Sequence, residues 1–117
     1  MPERAQLFDD IDSMAPERFT AHLAEDVTMR FGNADPVQGR DAVHDVWAGF
    51  CEGLDGVSHT GLRRWESGEG TVAEADVTYT RKDGQTVTVP VVTIYRESDG
   101  GIDDYRVFID LAPLFAD

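Results

Sequence analysis

Hydrophobic positions repeat with one period in the first half of the chain and another in the second. Up to about residue 54 the spacing is helical. Phe8, Ile11 and Met14 recur on one side, while Asp9, Asp10 and Asp12 take the other. A second short helix opens at Pro16, a favoured first-turn proline, and buries Phe19 and Leu23. Residues 27–31 read as a short strand ended by Gly32-Asn33. Gly39-Arg40-Asp41 then opens the best helix, with Val43, Val46, Trp47, Phe50, Cys51 and Leu54 as its apolar stripe.

From about residue 57 the period becomes two. Strands are expected at 57–66, 71–81, 85–97 and 102–111. They are separated by Ser67-Gly68-Glu69-Gly70, Lys82-Asp83-Gly84 and Ser98-Asp99-Gly100-Gly101. Such short glycine-bearing connections make hairpins, so the strands form an antiparallel meander. Helices first and hairpins after is an α+β layout: three helices cover one face of a curved sheet, with the 27–31 strand shorter and separate. There are no repeats or linkers, and residues 1–117 read as a single domain.

The turns also set a register. Closure at Arg81 and Gln85 places Asp76 opposite Pro90 and Glu74 opposite Val92; the next turn places Pro90 opposite roughly Phe108 to Asp110. Asp76 and Asp110 then share a face two strands apart, about 9–10 Å between backbones. Glu74, Thr78, Arg106 and Phe108 share that face. The odd face carries Ala75, Val77, Tyr79, Val87, Val89, Val91, Tyr95, Val107 and Ile109. If the charged face lines a cavity, the chain carries an acid–base site; if it meets water, it carries no visible chemistry. With the helices on the charged face, the odd face is too apolar to leave bare, and a homodimer packed sheet to sheet follows.

Composition narrows the function classes. At 117 residues, 41% hydrophobic and 9% aromatic, the chain supports one ordinary core. A net charge of −13 repels phosphate backbones and anionic lipid, which argues against nucleic acid and membrane partners. No apolar run approaches the roughly 18 residues of a membrane span, and Met1-Pro2-Glu3-Arg4 lacks the features of a signal peptide, so a cytoplasmic location is expected. Cys51, the lone cysteine, reads as a small buried hydrophobe. No His, Cys and carboxylate cluster has metal spacing; His22 and His44 are placed on helices, away from ligand-like partners.

Several segments carry a resemblance. Ala24-Glu25-Asp26-Val27-Thr28, the helix start Gly39-Arg40-Asp41-Ala42-Val43, Pro90 and the closing Tyr105-Arg106…Phe108-Ile109-Asp110 resemble the nuclear transport factor 2-like superfamily. Within it, the chain resembles SnoaL-like polyketide cyclases, limonene-epoxide hydrolases and ketosteroid isomerases. The resemblance implies a cone of helices closed over a curved sheet around one deep apolar pocket, usually dimeric through the sheet. The ketosteroid isomerase catalytic groups fall at Leu7, Phe31 and Val92, which cannot relay a proton. The two water-handling aspartates of the epoxide hydrolases fall at Asp76 and Asp110, but their arginine falls at Glu74, and their tyrosine and asparagine fall at Met29 and Phe31. The cyclase aspartate near the end of the last strand looks like Asp110.

The expected site is therefore Asp110, Asp76 and His59 as catalytic groups. Glu74, Arg106, Met29, Phe31, Trp47, Val92 and Phe108 are the expected substrate contacts. Each has a plainer reading. Asp110 is then a strand-end carboxylate accepting N–H bonds near Leu111-Ala112-Pro113, Asp76 and Glu74 a solvated face, and Arg106 the partner of a nearby acid. His59 is either a proton shuttle or a hydrogen-bonded structural histidine, and Trp47, Phe50 and Trp65 are core. The function expected is cofactor-independent cyclisation or isomerisation of an apolar oxygenated small molecule by carboxylate acid–base chemistry. The alternatives are epoxide opening and a non-catalytic ligand-binding or dimerising protein of the same fold. An inward His59 and paired acids favour the enzyme; a pocket choked by Met29, Phe31 and Trp47 favours the binder.

Overall fold

A computed structural model describes residues 4–116; of the amino-terminal segment read above, only Arg4 lies within them. A 3₁₀ turn (Arg4–Gln6) leads into α1 (Leu7–Asp12) and α2 (Pro16–Thr20), followed by β1 (Leu23–Phe31), β2 (Val37–Gln38) and α3 (Arg40–Glu52). The meander is β3 (Leu54–Ser67), β4 (Gly70–Arg81), β5 (Thr86–Ser98) and β6 (Gly101–Ile109), and α4 (Ala112–Phe115) closes the chain. The fold is α+β, with a curved, unclosed sheet of order β2-β1-β6-β5-β4-β3.

The hairpin register matches the turn arithmetic: Asp76 pairs with Pro90, Glu74 with Val92 and Val92 with Phe108. The first strand corrects the expectation. It is nine residues long and joins the sheet, parallel to β6, pairing Met29 with Tyr105 and Phe31 with Val107. The approach is close where β6 begins. A Cβ on Gly101 would lie 2.9 Å from the His22 carbonyl oxygen, and φ there is +117°, so glycine alone fits. His22 is consequently held in the turn before β1, not on a helix.

The helices lie on the odd face of the sheet, reversing the expected cover. Ala75, Val77, Tyr79, Val89, Val91, Tyr95 and Val107 are buried with Phe19, Val43 and Trp47 in one core. Apolar area decides this: the face with the valines and tyrosines gains most by leaving water. The even face, with Glu74, Asp76, Arg106, Phe108 and Asp110, is exposed. The sheet-to-sheet dimer argued from a bare odd face therefore loses its premise.

Three local readings also change. α1 ends at Asp12, and Met14 follows in a left-handed turn at φ 61°. On α3 the buried stripe is Val43, Trp47 and Cys51, while Val46 is exposed and Leu54 already belongs to β3. Trp65 is not core. One extra residue bulges between Thr60 and Arg63, where Gly61 takes φ +67°, and the slip turns every later side chain of β3 over. Trp65 thus faces outward beneath the Arg63 guanidinium, 5.0 Å from the ring, while Arg64 turns inward over Phe8.

Candidate active site

Under the helices the core leaves a small, partly enclosed cavity of about 30 Å³. A single water needs about 10–15 Å³ on this measure, so the cavity is small at rest. Met29, Phe31, Trp47 and His59 line it, and Tyr79, Thr93 and Tyr105 add polar edges to an otherwise apolar wall.

His59 reaches the cavity because it precedes the bulge and shares the odd face with its partner Val77. Its side chain is 9% exposed and is held from the end of α1. The Asp12 Oδ1 lies 2.6 Å from His59 Nδ1, and Oδ2 accepts the His59 backbone N–H at 2.8 Å. A carboxylate only accepts hydrogen bonds, so Nδ1 carries a proton, and in the neutral ring the lone pair sits on Nε2. Among the described residues, Nε2 has no hydrogen-bond partner. Phe8 packs edge-on against the ring at 5.0 Å.

Phe8 and Asp12 are four residues apart, one helical turn, and so they grip one imidazole from one face of α1. The sequence reading had assigned Asp12 to the water side with Asp9 and Asp10. The missed signal was its i+4 spacing from Phe8. Asp10 points elsewhere. It is buried against His22 Nε2 at 2.7 Å and Arg18 at 2.8 Å, while Arg4 donates to His22 Nδ1 at 2.7 Å. One short helix therefore anchors two His–Asp pairs, one structural and one at the cavity.

The hydroxyls stay protonated. Burial, reinforced by the Asp12 charge, holds the Tyr79 phenol well above its ordinary range, and burial does the same to Tyr105. Burial also pushes the Cys51 thiol up to about 11, so it is no nucleophile. Among the described residues no group of three or more His, Cys, Asp or Glu is placed to hold a metal.

The expected carboxylates lie outside this cavity. Glu74, Asp76, Pro90, Val92, Phe108 and Asp110 do converge, but on an open groove of the outer sheet face. Phe108 is 52% exposed. Asp110 accepts the Ala112 backbone N–H at 3.0 Å, the strand-end arrangement read as its plainer role. Arg106 lies beside Asp104 at 3.5 Å, and Glu74 beside Arg63 at 3.9 Å. His44, expected to lie away from ligand-like partners, is paired with Glu17 at 3.2 Å on the surface.

Comparison with known proteins agrees with this architecture. A SnoaL-like domain matches residues 5–105. No curated protein matches the sequence. A candidate polyketide cyclase from Xanthomonas campestris pv. campestris superposes with a TM-score of 0.85 at 17% identity, covering 94% of this chain and 89% of that one. A candidate SnoaL-like polyketide cyclase from Jannaschia sp. CCS1 gives 0.75 at 22% identity, over 94% and 84%. A ketosteroid isomerase-like fold from Catenulispora acidiphila DSM 44928, in complex with trimethylamine, gives 0.80 at 17% identity, over 92% and 85%. With helices closed over one face of a curved sheet and a domain match across most of its length, the chain belongs to the SnoaL-like family of the nuclear transport factor 2-like fold.

Proposed function

We propose that this protein is a cofactor-independent cyclase or isomerase whose acid–base centre is His59, held by Asp12. The observation that carries the reading is the Asp12–His59 pair on the cavity wall, with Nδ1 fixed at 2.6 Å and Nε2 left unpaired. His59 Nε2 removes a proton from carbon next to a carbonyl. The Asp12 carboxylate stabilises the imidazolium that forms, and the imidazolium returns a proton to carbon of the enol; in D₂O its N–H exchanges with solvent, so a deuteron is returned. Neutral Tyr79, on the cavity wall, is a donor for the developing oxyanion. The chiefly apolar wall limits the water that can meet the enol.

Two features support a small apolar substrate. The walls carry no Arg or Lys, so a carboxylate or phosphate would be buried unpaired. The cavity is narrow, and Met29, with three rotatable bonds, is the wall that yields most readily to a ring. Structural neighbours named as candidate polyketide cyclases fit this class of chemistry. Epoxide opening by Asp76 and Asp110 is not proposed, because both lie on the outer face.

The homodimer is proposed on the opposite face from the one first argued. Exposed Trp65 and Phe108, with Val92 between their strands, give the outer face its apolar area.

The test of catalysis is exchange of the α-protons of small ketones in D₂O, followed by NMR. Acceleration by the protein over buffer is expected. Ligand binding without acceleration identifies a binder instead.

A further inference from the structure

The indole of Trp47 is 6% exposed, and its Nε1–H has no hydrogen-bond partner. No other side-chain nitrogen or oxygen among the described residues is both fully buried and unpaired in this way. Native proteins rarely carry such a donor without a reason, and an indole nitrogen can only donate. Packing fixes the ring: Phe50 stacks on it at 5.4 Å and Phe19 meets it edge-on at 5.7 Å. Neither neighbour offers an acceptor. The cavity that Trp47 lines carries possible acceptors in His59 Nε2 and the Tyr79 and Tyr105 hydroxyls, but none of them is within hydrogen-bond reach of the indole nitrogen.

We infer that Trp47 recognises the substrate through its indole N–H, and that this substrate is a compact, uncharged molecule presenting a carbonyl oxygen. The absence of cationic side chains from the cavity wall selects against anions, and the donor-only nitrogen selects for an acceptor. Loss of the ketone oxygen leaves the donor buried and unpaired, so an isosteric hydrocarbon is rejected. This inference rests on the cavity being the ligand site proposed above, but not on His59 being the base.

The experiment is a titration of uniformly ¹⁵N-labelled protein with cyclopentanone and, separately, with methylenecyclopentane, which replaces the oxygen by CH₂. The two indole N–H signals are assigned with Trp47→Phe, and exposed Trp65 serves as the internal control. Cyclopentanone should move the Trp47 signal downfield in a saturable way, methylenecyclopentane should not, and Trp65 should stay still. Trp47→Phe should weaken cyclopentanone binding about 5- to 10-fold and leave the hydrocarbon unaffected. An unmoved Trp47 signal at saturating cyclopentanone, equal affinity of the wild-type protein for both probes, or no binding of the ketone would each overturn the inference. The His59→Gln protein separates the two proposals. In that protein a retained Trp47 shift with lost proton exchange supports both, a retained shift with normal exchange overturns the proposed base alone, and an unmoved Trp47 signal with the ketone bound and exchange lost overturns this inference alone.

Discussion

Asp12 holds His59 twice, once at the ring Nδ1 and once at the backbone N–H, across 47 residues of sequence. The double grip fixes both the rotation of the imidazole and the position of its strand. Ring orientation and proton placement thus come from a single carboxylate at the end of a six-residue helix.

Asp12→Asn tests the electrostatic half of that grip. Asparagine keeps the shape, but its amide can donate to Nδ1, which moves the ring proton to Nε2 and turns a base into an acid. Exchange of ketone α-protons should fall roughly 10²–10⁴-fold, the usual worth of a general base. Circular dichroism should show the fold retained.

Asp76→Asn and Asp110→Asn should leave exchange within about twofold of wild type, because surface substitutions typically act within ±0.5 kcal/mol. Both carboxylates lie on the outer groove, and Asp110 is engaged with the Ala112 N–H. A loss approaching that of Asp12→Asn would restore the outer acids as the catalytic pair.

The Asp10–His22 pair should govern acid stability. Its hydrogen bond to His22, aided by Arg18, holds the Asp10 carboxyl below its ordinary value despite burial. A carboxyl depressed in the folded state stabilises fully above its unfolded value near 3.8 and loses that contribution as pH falls towards the lower folded value. Asp10→Ala should therefore cost roughly 1–3 kcal/mol at neutral pH and progressively less below about pH 4. Urea melts at pH 7 and pH 3 measure the difference.

Phe108→Arg probes association. If the outer face pairs two copies, wild type should sediment as a dimer at micromolar concentration and the variant as a monomer. Wild type sedimenting as a monomer would remove the dimer proposal without touching the cavity.

Local sequence rules carried the meander well. Turn chemistry fixes the hairpin register, so Asp76 opposite Pro90 could be read directly. Alternation likewise separated the two faces correctly. It does not say which face the helices cover, and a resemblance drawn to Asp76 and Asp110 turned the choice against the apolar area of Val77, Val89 and Val91. The parallel β1–β6 pairing was invisible because nothing local encodes a contact between Met29 and Tyr105. The bulge at Gly61 was equally hidden, and it alone inverted Trp65 and Arg64. Asp12 was legible in principle, since its helical spacing from Phe8 places it on the buried side.

The central claim is that His59 Nε2 is the base. The decisive measurement is the rate of α-proton exchange of cyclopentanone in D₂O with wild type and with His59→Gln, each at a concentration that saturates its cavity. The account predicts clear acceleration by wild type and a fall of roughly 10²–10⁴-fold in the variant, with ketone affinity nearly unchanged. Equal rates for the two proteins, with the ketone bound in both, would contradict it.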